Sequence, residues 1–248
     1  MCRHLGYLGP RLPLAELLLD PAHSLLEQSW DPTDMRGGGT VNADGFGAGW
    51  FGADGRPAAY RAAVPIWTDT TFPQVARQIR ASAVVAAVRS ATVGMPVSPE
   101  SCAPLCDERW LFSHNGKVGG WPDSLAKLAG RLEITDLLTT APLDSAVLWA
   151  LLRQRLDAGE DPPAAVRELV REVLAAAPDS RLNLLLCDGN RLVATTWTHS
   201  LWVFRGTDSI AVASEPFGPP ERWVEVPDRC LLVATTDRTE VTTLEEEA

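Results

Sequence analysis

The chain has 248 residues, 46% hydrophobic and 22% charged, with a formal net charge of −10. This is the composition of a globular protein with room for a substantial core, and its acidity excludes the basic stripe that nucleic-acid binding requires. No run approaches the roughly 20 apolar residues of a membrane helix, and Gly6, Gly9, Pro10 and Pro13 break any signal-peptide core, so no membrane partner and a cytoplasmic setting are expected.

Residues 2–8 read as a strand leading away from the N-terminus. Leu14–Leu19 and Ala22–Ser29 resemble short helices, and a polar loop follows from Asp31 to Asp44. Gly47–Phe51 and Ala58–Ala63 read as a hairpin, with Asp54-Gly55 supplying the turn. The spacing predicts a helix over Phe72–Ala81, then a strand buried on both faces over Ala83–Val88. A strand over Trp110–His114 runs into Asn115-Gly116, which taken alone is a strong turn signal. Leu143–Leu156 reads as a helix, with Asp144 and Ser145 as capping candidates. In Ala164–Leu174, the residues Val166, Leu169, Val170, Val173 and Leu174 form the stripe of an amphipathic helix. Short strands follow at Leu182–Cys187, Leu192–Thr196, Leu201–Phe204, Ile210–Ala213 and Leu231–Ala234. Antiparallel strands with helices grouped between them predict an α+β fold with packed sheets.

Five cysteines, Cys2, Cys102, Cys106, Cys187 and Cys230, are an odd count that argues against a disulfide framework. Cys102 and Cys106 have no second Cys or His pair at ligand spacing, so no structural metal is expected.

Cys2 is the most informative position. Removal of Met1 would place a thiol and a free α-amine on one residue. Thiols ionise near pH 8.5 and α-amines at about 7.7–8.0, so the amine can act as general base for its own thiol. The plain alternative is a small apolar residue in a first strand. Arg89 ends a buried strand and either pairs structurally or faces a ligand. Asn115 and Gly116 form either a turn or an oxyanion hole, with His114 read as structural. Asp144 is an N-cap or the counter-charge of an ammonium.

Several segments occur in a telling order: the N-terminal Cys2, the loop Asn42-Ala43-Asp44-Gly45-Phe46-Gly47, Arg89-x-x-Thr92-x-Gly94, His114-Asn115-Gly116, Asp144 opening a helix, and Ala213-Ser214-Glu215-Pro216. This set resembles the class II glutamine amidotransferases. The resemblance covers nearly the whole chain and implies an N-terminal-nucleophile hydrolase: one domain over residues 2–248, a four-layer αββα sandwich of two antiparallel sheets, and no cofactor. It implies that Cys2 is nucleophile and, through its α-amine, base. Arg89 would bind a substrate α-carboxylate, with Thr92 and Gly94 shaping its loop. Asn115 and Gly116 would form the oxyanion hole, and Asp144 would hold the α-ammonium. Val93 stands where many members carry His, so the outer contacts of the glutamyl pocket differ.

Within the family the chain is most similar to the stand-alone γ-glutamyl hydrolases of ergothioneine biosynthesis, which release glutamate from γ-glutamyl-hercynylcysteine sulfoxide. The expected partner is thus a small γ-glutamyl substrate, with homo-oligomerisation left open. Trp30, Trp50, Trp67 and Trp121 are candidates for an aromatic rim around its cationic leaving group. Two other readings stand beside this one: a glutaminase subunit feeding ammonia to a separate synthase, and a non-catalytic protein using Cys2 and His4 as a metal or redox site.

Overall fold

The computed structural model describes residues 2–36, 38, 41–138 and 141–245. The expected removal of Met1 lies outside the described residues, as do parts of the polar loop after Asp31. In chain order the strands are β1 (Arg3–Pro13), β2 (Phe46–Phe51), β3 (Pro57–Ala62), β4 (Arg80–Val88), β5 (Leu105–Cys106), β6 (Leu111–Lys117) and β7 (Arg181–Cys187), followed by β8 (Leu192–Thr195), β9 (Trp202–Arg205), β10 (Ile210–Ala213), β11 (Trp223–Glu225), β12 (Cys230–Ala234) and β13 (Thr239–Thr243). The α-helices are α1 (Leu14–Leu18), α2 (Leu25–Gln28), α3 (Phe72–Gln78), α4 (Ala126–Ala129), α5 (Ile134–Leu138), α6 (Asp144–Asp157) and α7 (Pro162–Ala176).

One sheet has seven strands in the order β11-β9-β10-β1-β4-β2-β3, the other six in the order β13-β12-β8-β7-β6-β5. Strand alternation explains their stacking, because successive side chains leave opposite faces. On β1, Leu5 and Tyr7 pack outward with Leu14, Leu17 and Phe72 of the first helical layer. Gly6 points the other way, where a Cβ would lie 3.1–3.3 Å from Leu192, Val212 and Leu185. On β6, Leu111 joins Leu8, Val85, Leu185 and Leu232 between the sheets. Phe112 faces the second helical layer, which α6 and α7 build with Leu148, Leu152, Val166 and Leu169. The layers therefore run helix, sheet, sheet, helix, as the resemblance implied, and the stripe on α7 meets the six-stranded sheet.

The hairpin forms in the expected place, with Gly47 opposite Arg61 and Phe51 opposite Pro57. Two expectations are revised, and one alternative reading drops out. The helix over Phe72–Ala81 stops at Gln78, because Arg80 and Ala81 pair with Pro13 and Leu12 and extend β4. Pairing in the sheet outweighs a helical pattern this short. The helix over Ala22–Ser29 shrinks to Leu25–Gln28, capped by the Ser24 hydroxyl accepting from Glu27 N. Asn115-Gly116 is no turn: β6 runs through it, placing Asn115 opposite Asn183 and Gly116 opposite Leu182. The glycine is required by close approach, since a Cβ there would sit 1.9 Å from Arg181 O.

The middle layer should be the most costly to loosen. Truncating Leu185, fully buried between the sheets, to alanine should cost about 2–5 kcal/mol of unfolding free energy. Urea titration measures it, and a cost well below that range would mean the sheets are not closely packed there.

Candidate active site

The register of the seven-stranded sheet gathers distant residues at one edge. Arg3 and Phe46 both pair with Val88, so the starts of β1 and β2 meet the end of β4. Beyond β10, Ser214 N donates to His4 O. Cys2, Asp44, Arg89 and Ser214 are thus neighbours by topology. The second sheet contributes His114 and Gly116 from β6, and α6 presents Asp144 at its N-terminus. Between them lies a cleft whose wall includes Cys2, Arg89, Thr92, Gly116 and Asp144.

Cys2 Sγ lies 3.7 Å from Ser90 O. The arginine segment is clamped by the loop of the Asn42–Gly47 motif: Arg89 N donates to Gly45 O at 2.8 Å and Asp44 N to Arg89 O at 3.0 Å. Asp44 Oδ2 also accepts from Ala91 N at 2.7 Å. The Arg89 Nη1 atom is buried with no hydrogen-bond partner among the described residues, a donor awaiting an acceptor. Asp144 is 8% exposed; its Oδ2 accepts from Val118 N at 2.9 Å and its Oδ1 from Ser145 N at 2.7 Å. A cationic donor and a fixed carboxylate on one wall can capture the carboxylate and ammonium of an amino acid.

Two predicted residues sit apart from that wall. Gly94, at φ +91°, belongs to a neighbouring groove that shares Thr92 and Asp144. Asn115 is 1% exposed, with Nδ2 3.3 Å from Ser214 Oγ and Oδ1 buried without a partner among the described residues. His114 is structural, as expected: Nε2 meets Arg181 O at 2.9 Å and Nδ1 meets Ser145 Oγ at 3.0 Å. Of the four tryptophans, Trp30 and Trp67 form an exposed T-shaped pair with centroids 5.7 Å apart. Trp50 and Trp121 pack against opposite helical layers. Among the described residues, no three His, Cys, Asp or Glu are grouped to hold a metal ion.

The residues whose structural role sequence reasoning missed lie behind Cys2. Arg3 and Glu215, each 1% exposed, pair through Nε and Oε1 at 2.6 Å. Glu215 also accepts from His23 Nε2, Thr33 N, Thr33 Oγ1 and Asp34 N. Arg3 in turn donates to Cys2 O at 3.1 Å and to Asp34 O. Burial alone would raise the Glu215 carboxyl, but the hydrogen bonds from His23 and Thr33 and the charge of Arg3 outweigh it and hold it at about 2.

A class II glutamine amidotransferase family model matches residues 25–208. A γ-glutamyl-hercynylcysteine sulfoxide hydrolase from Mycolicibacterium smegmatis is 41% identical over 94% of this chain and 95% of its own length. The chain belongs to the class II glutamine amidotransferases. A hydrolase of the same name from Mycobacterium tuberculosis is 40% identical over 99% of this chain and 97% of its own. Among solved structures, a class-II glutamine aminotransferase domain protein from Silicibacter pomeroyi superposes with TM-score 0.70 at 22% identity, covering 99% of this chain and all of that one. This amidotransferase thus carries its family's fold over its described length.

Behind the cleft, burial chiefly, with help from nearby positive groups, lowers His4 from 6.5 to about 3 and His199 to about 4. Both are neutral when folded and take up protons on unfolding below about pH 6.5, so their contribution is complete above that pH and is lost as pH falls. Glu215 adds a further loss only below its ordinary value of 4.5. The melting temperature should therefore drop between pH 6.5 and 4.5, before any effect of Glu215. A flat calorimetric profile across that interval would contradict the neutral buried histidines.

Proposed function

We propose that this amidotransferase releases glutamate from γ-glutamyl-hercynylcysteine sulfoxide through a γ-glutamyl thioester on Cys2. The observation that carries the reading is the buried Arg89 Nη1, unpartnered among the described residues, on a cleft wall shared with Cys2 and Asp144. Those opposite charges match the α-carboxylate and α-ammonium of a glutamyl end, and this reading puts its γ-carbonyl toward the thiol. Identity near 40% over almost the full length of two hydrolases of that name supports the choice of leaving group. A cytoplasmic setting belongs to the same reading and is supported by five free thiols. Among the described residues no helix is long and apolar enough to cross a membrane.

In this mechanism the Cys2 α-amine, freed by removal of Met1, takes the thiol proton as sulfur attacks the γ-carbonyl. Asn115 and Gly116 donate to the resulting oxyanion. The ammonium then protonates the departing amine, and the C–N bond breaks to leave the thioester. Water, deprotonated by the same amine, attacks the thioester and frees glutamate and thiolate. Remote binding of the glutamyl end by Arg89, Thr92 and Asp144 provides the orientation that a two-step acyl transfer needs.

Glutamate release should be measured from the sulfoxide and from glutamine, side by side, with Cys2→Ala as control. Strong preference for the sulfoxide, abolished in Cys2→Ala, is expected. Preference for glutamine would indicate instead a subunit that supplies ammonia to a synthase, and turnover in Cys2→Ala would remove the nucleophile. A second expectation concerns Arg89. Its replacement by Gln should lower kcat/KM roughly 10- to 100-fold, the value of a hydrogen-bonded charge contact, mainly through KM. An unchanged KM would detach Arg89 from the carboxylate.

A further inference from the structure

Ser214, 2% exposed, is held on three sides. Its N–H donates to His4 O at 3.0 Å and its carbonyl accepts the Ser200 hydroxyl at 2.8 Å. Its Oγ accepts from His4 N–H at 3.0 Å. A serine hydroxyl has two lone pairs and one proton. With Asn115 Nδ2 at 3.3 Å acting as a second donor, both lone pairs are taken and the proton finds no acceptor among the described residues. Meanwhile Asn115 Oδ1 is buried without a partner among the described residues. The two ends of a carboxamide are nearly isosteric, and a half-turn of the Asn115 side chain removes both mismatches. The Ser214 O–H then donates to Oδ1, and the Asn115 amide, with both protons free, occupies the position that lacks a protein partner. That donor belongs to Asn115, which does not itself line the cleft but directly precedes Gly116, which does.

We propose that Ser214 is a positioning residue that orients the Asn115 carboxamide as an oxyanion donor, acting across the gap between the two sheets. This rests on the reading of Cys2 as an acylating nucleophile. The neighbouring Glu215 leaves the opposite face of the chain and grips Arg3, beside Cys2. Two adjacent residues after β10 thus address the two halves of the reaction: Glu215 the nucleophile's strand, Ser214 the oxyanion donor. The pairing links a serine and an asparagine 99 positions apart in the chain.

A double-mutant cycle tests this, with any γ-glutamyl compound the enzyme turns over as probe. Ser214→Ala should lower kcat on the order of 10- to 100-fold, as a misplaced group does, with KM, melting temperature and the iodoacetamide alkylation rate of Cys2 little changed. Alkylation needs the thiolate but no oxyanion hole. In an Asn115→Ala background the same replacement should add almost nothing. Full activity in Ser214→Ala, losses that multiply in the double variant, or a parallel fall in alkylation would each overturn the proposal. If no γ-glutamyl compound is turned over, the reading of Cys2 fails separately, and NMR of the Asn115 side-chain amide decides. Its resonances, identified by their disappearance in Asn115→Ala, should shift in Ser214→Ala; unmoved resonances would overturn the assignment.

Discussion

The site depends on one buried carboxylate. The Glu215 carboxylate accepts hydrogen bonds from four residues, Arg3, His23, Thr33 and Asp34, none adjacent to it in sequence. A buried ion pair is poor evidence for net stability, because desolvation consumes most of the Coulomb gain, yet removing one partner is costly since it strands the other charge. Its value here is geometric. Arg3 directly follows Cys2 and also donates to Cys2 O, so Cys2 is tied through one guanidinium to a fixed point in the sheet. The same carboxylate accepts from Thr33 and Asp34 and thereby binds the start of the polar loop to the sheet.

Local conformation yields to this anchor. His23 adopts φ +53°, a left-handed value that costs a non-glycine residue about 1–2 kcal/mol. It is held there by three contacts. Its ring donates to Glu215, its N–H donates to Glu27 Oε2 at 2.7 Å, and its carbonyl accepts from Gln28 Nε2 at 2.8 Å. The turn that truncates the expected helix at Ala22–Ser29 is therefore the turn that delivers His23 to the carboxylate. What reads as an imperfect helix is a requirement of the site.

This explains which parts of the molecule were legible in sequence. Cys2, Arg89, Thr92 and Asp144 could be named because each stands at the end of an element with its own pattern, and their order matched a family. The hairpin of β2 and β3 and the stripe of α7 were likewise local signals. Arg3–Glu215 spans 212 positions and Ser214–Asn115 spans 99, and neither pair has a periodicity that a single sequence displays. The segment holding Ser214 and Glu215 was recognisable as a motif, but not its partners. Edge strands escaped for a different reason. Four of the five residues of β13 are exposed, so no alternation of burial marks it. Asn115-Gly116 misleads in isolation because the dipeptide that favours a turn is also the one that lets β6 approach Arg181 O closely.

The sandwich divides the chemistry between its layers. Cys2 and Arg89 belong to one sheet, while Asn115, Gly116 and Asp144 come from the other sheet and its helix. Relative placement of these groups is then set by the packing between the sheets, where Leu8, Val85, Leu111, Leu185 and Leu232 are almost wholly buried. Interiors packed at such density transmit small volume changes as displacements, and acyl transfer is sensitive to displacements of an ångström. Between the sheets near the site the apolar layer gives way to Ser113, Asn115, His4 and Ser214, linked by hydrogen bonds. Hydrogen bonds are directional where apolar contacts are not. The polar patch can therefore hold an orientation that hydrophobic packing alone would leave loose. Its cost is borne as buried imidazoles that must remain neutral, which ties the integrity of the site to a pH above their unfolded-state range.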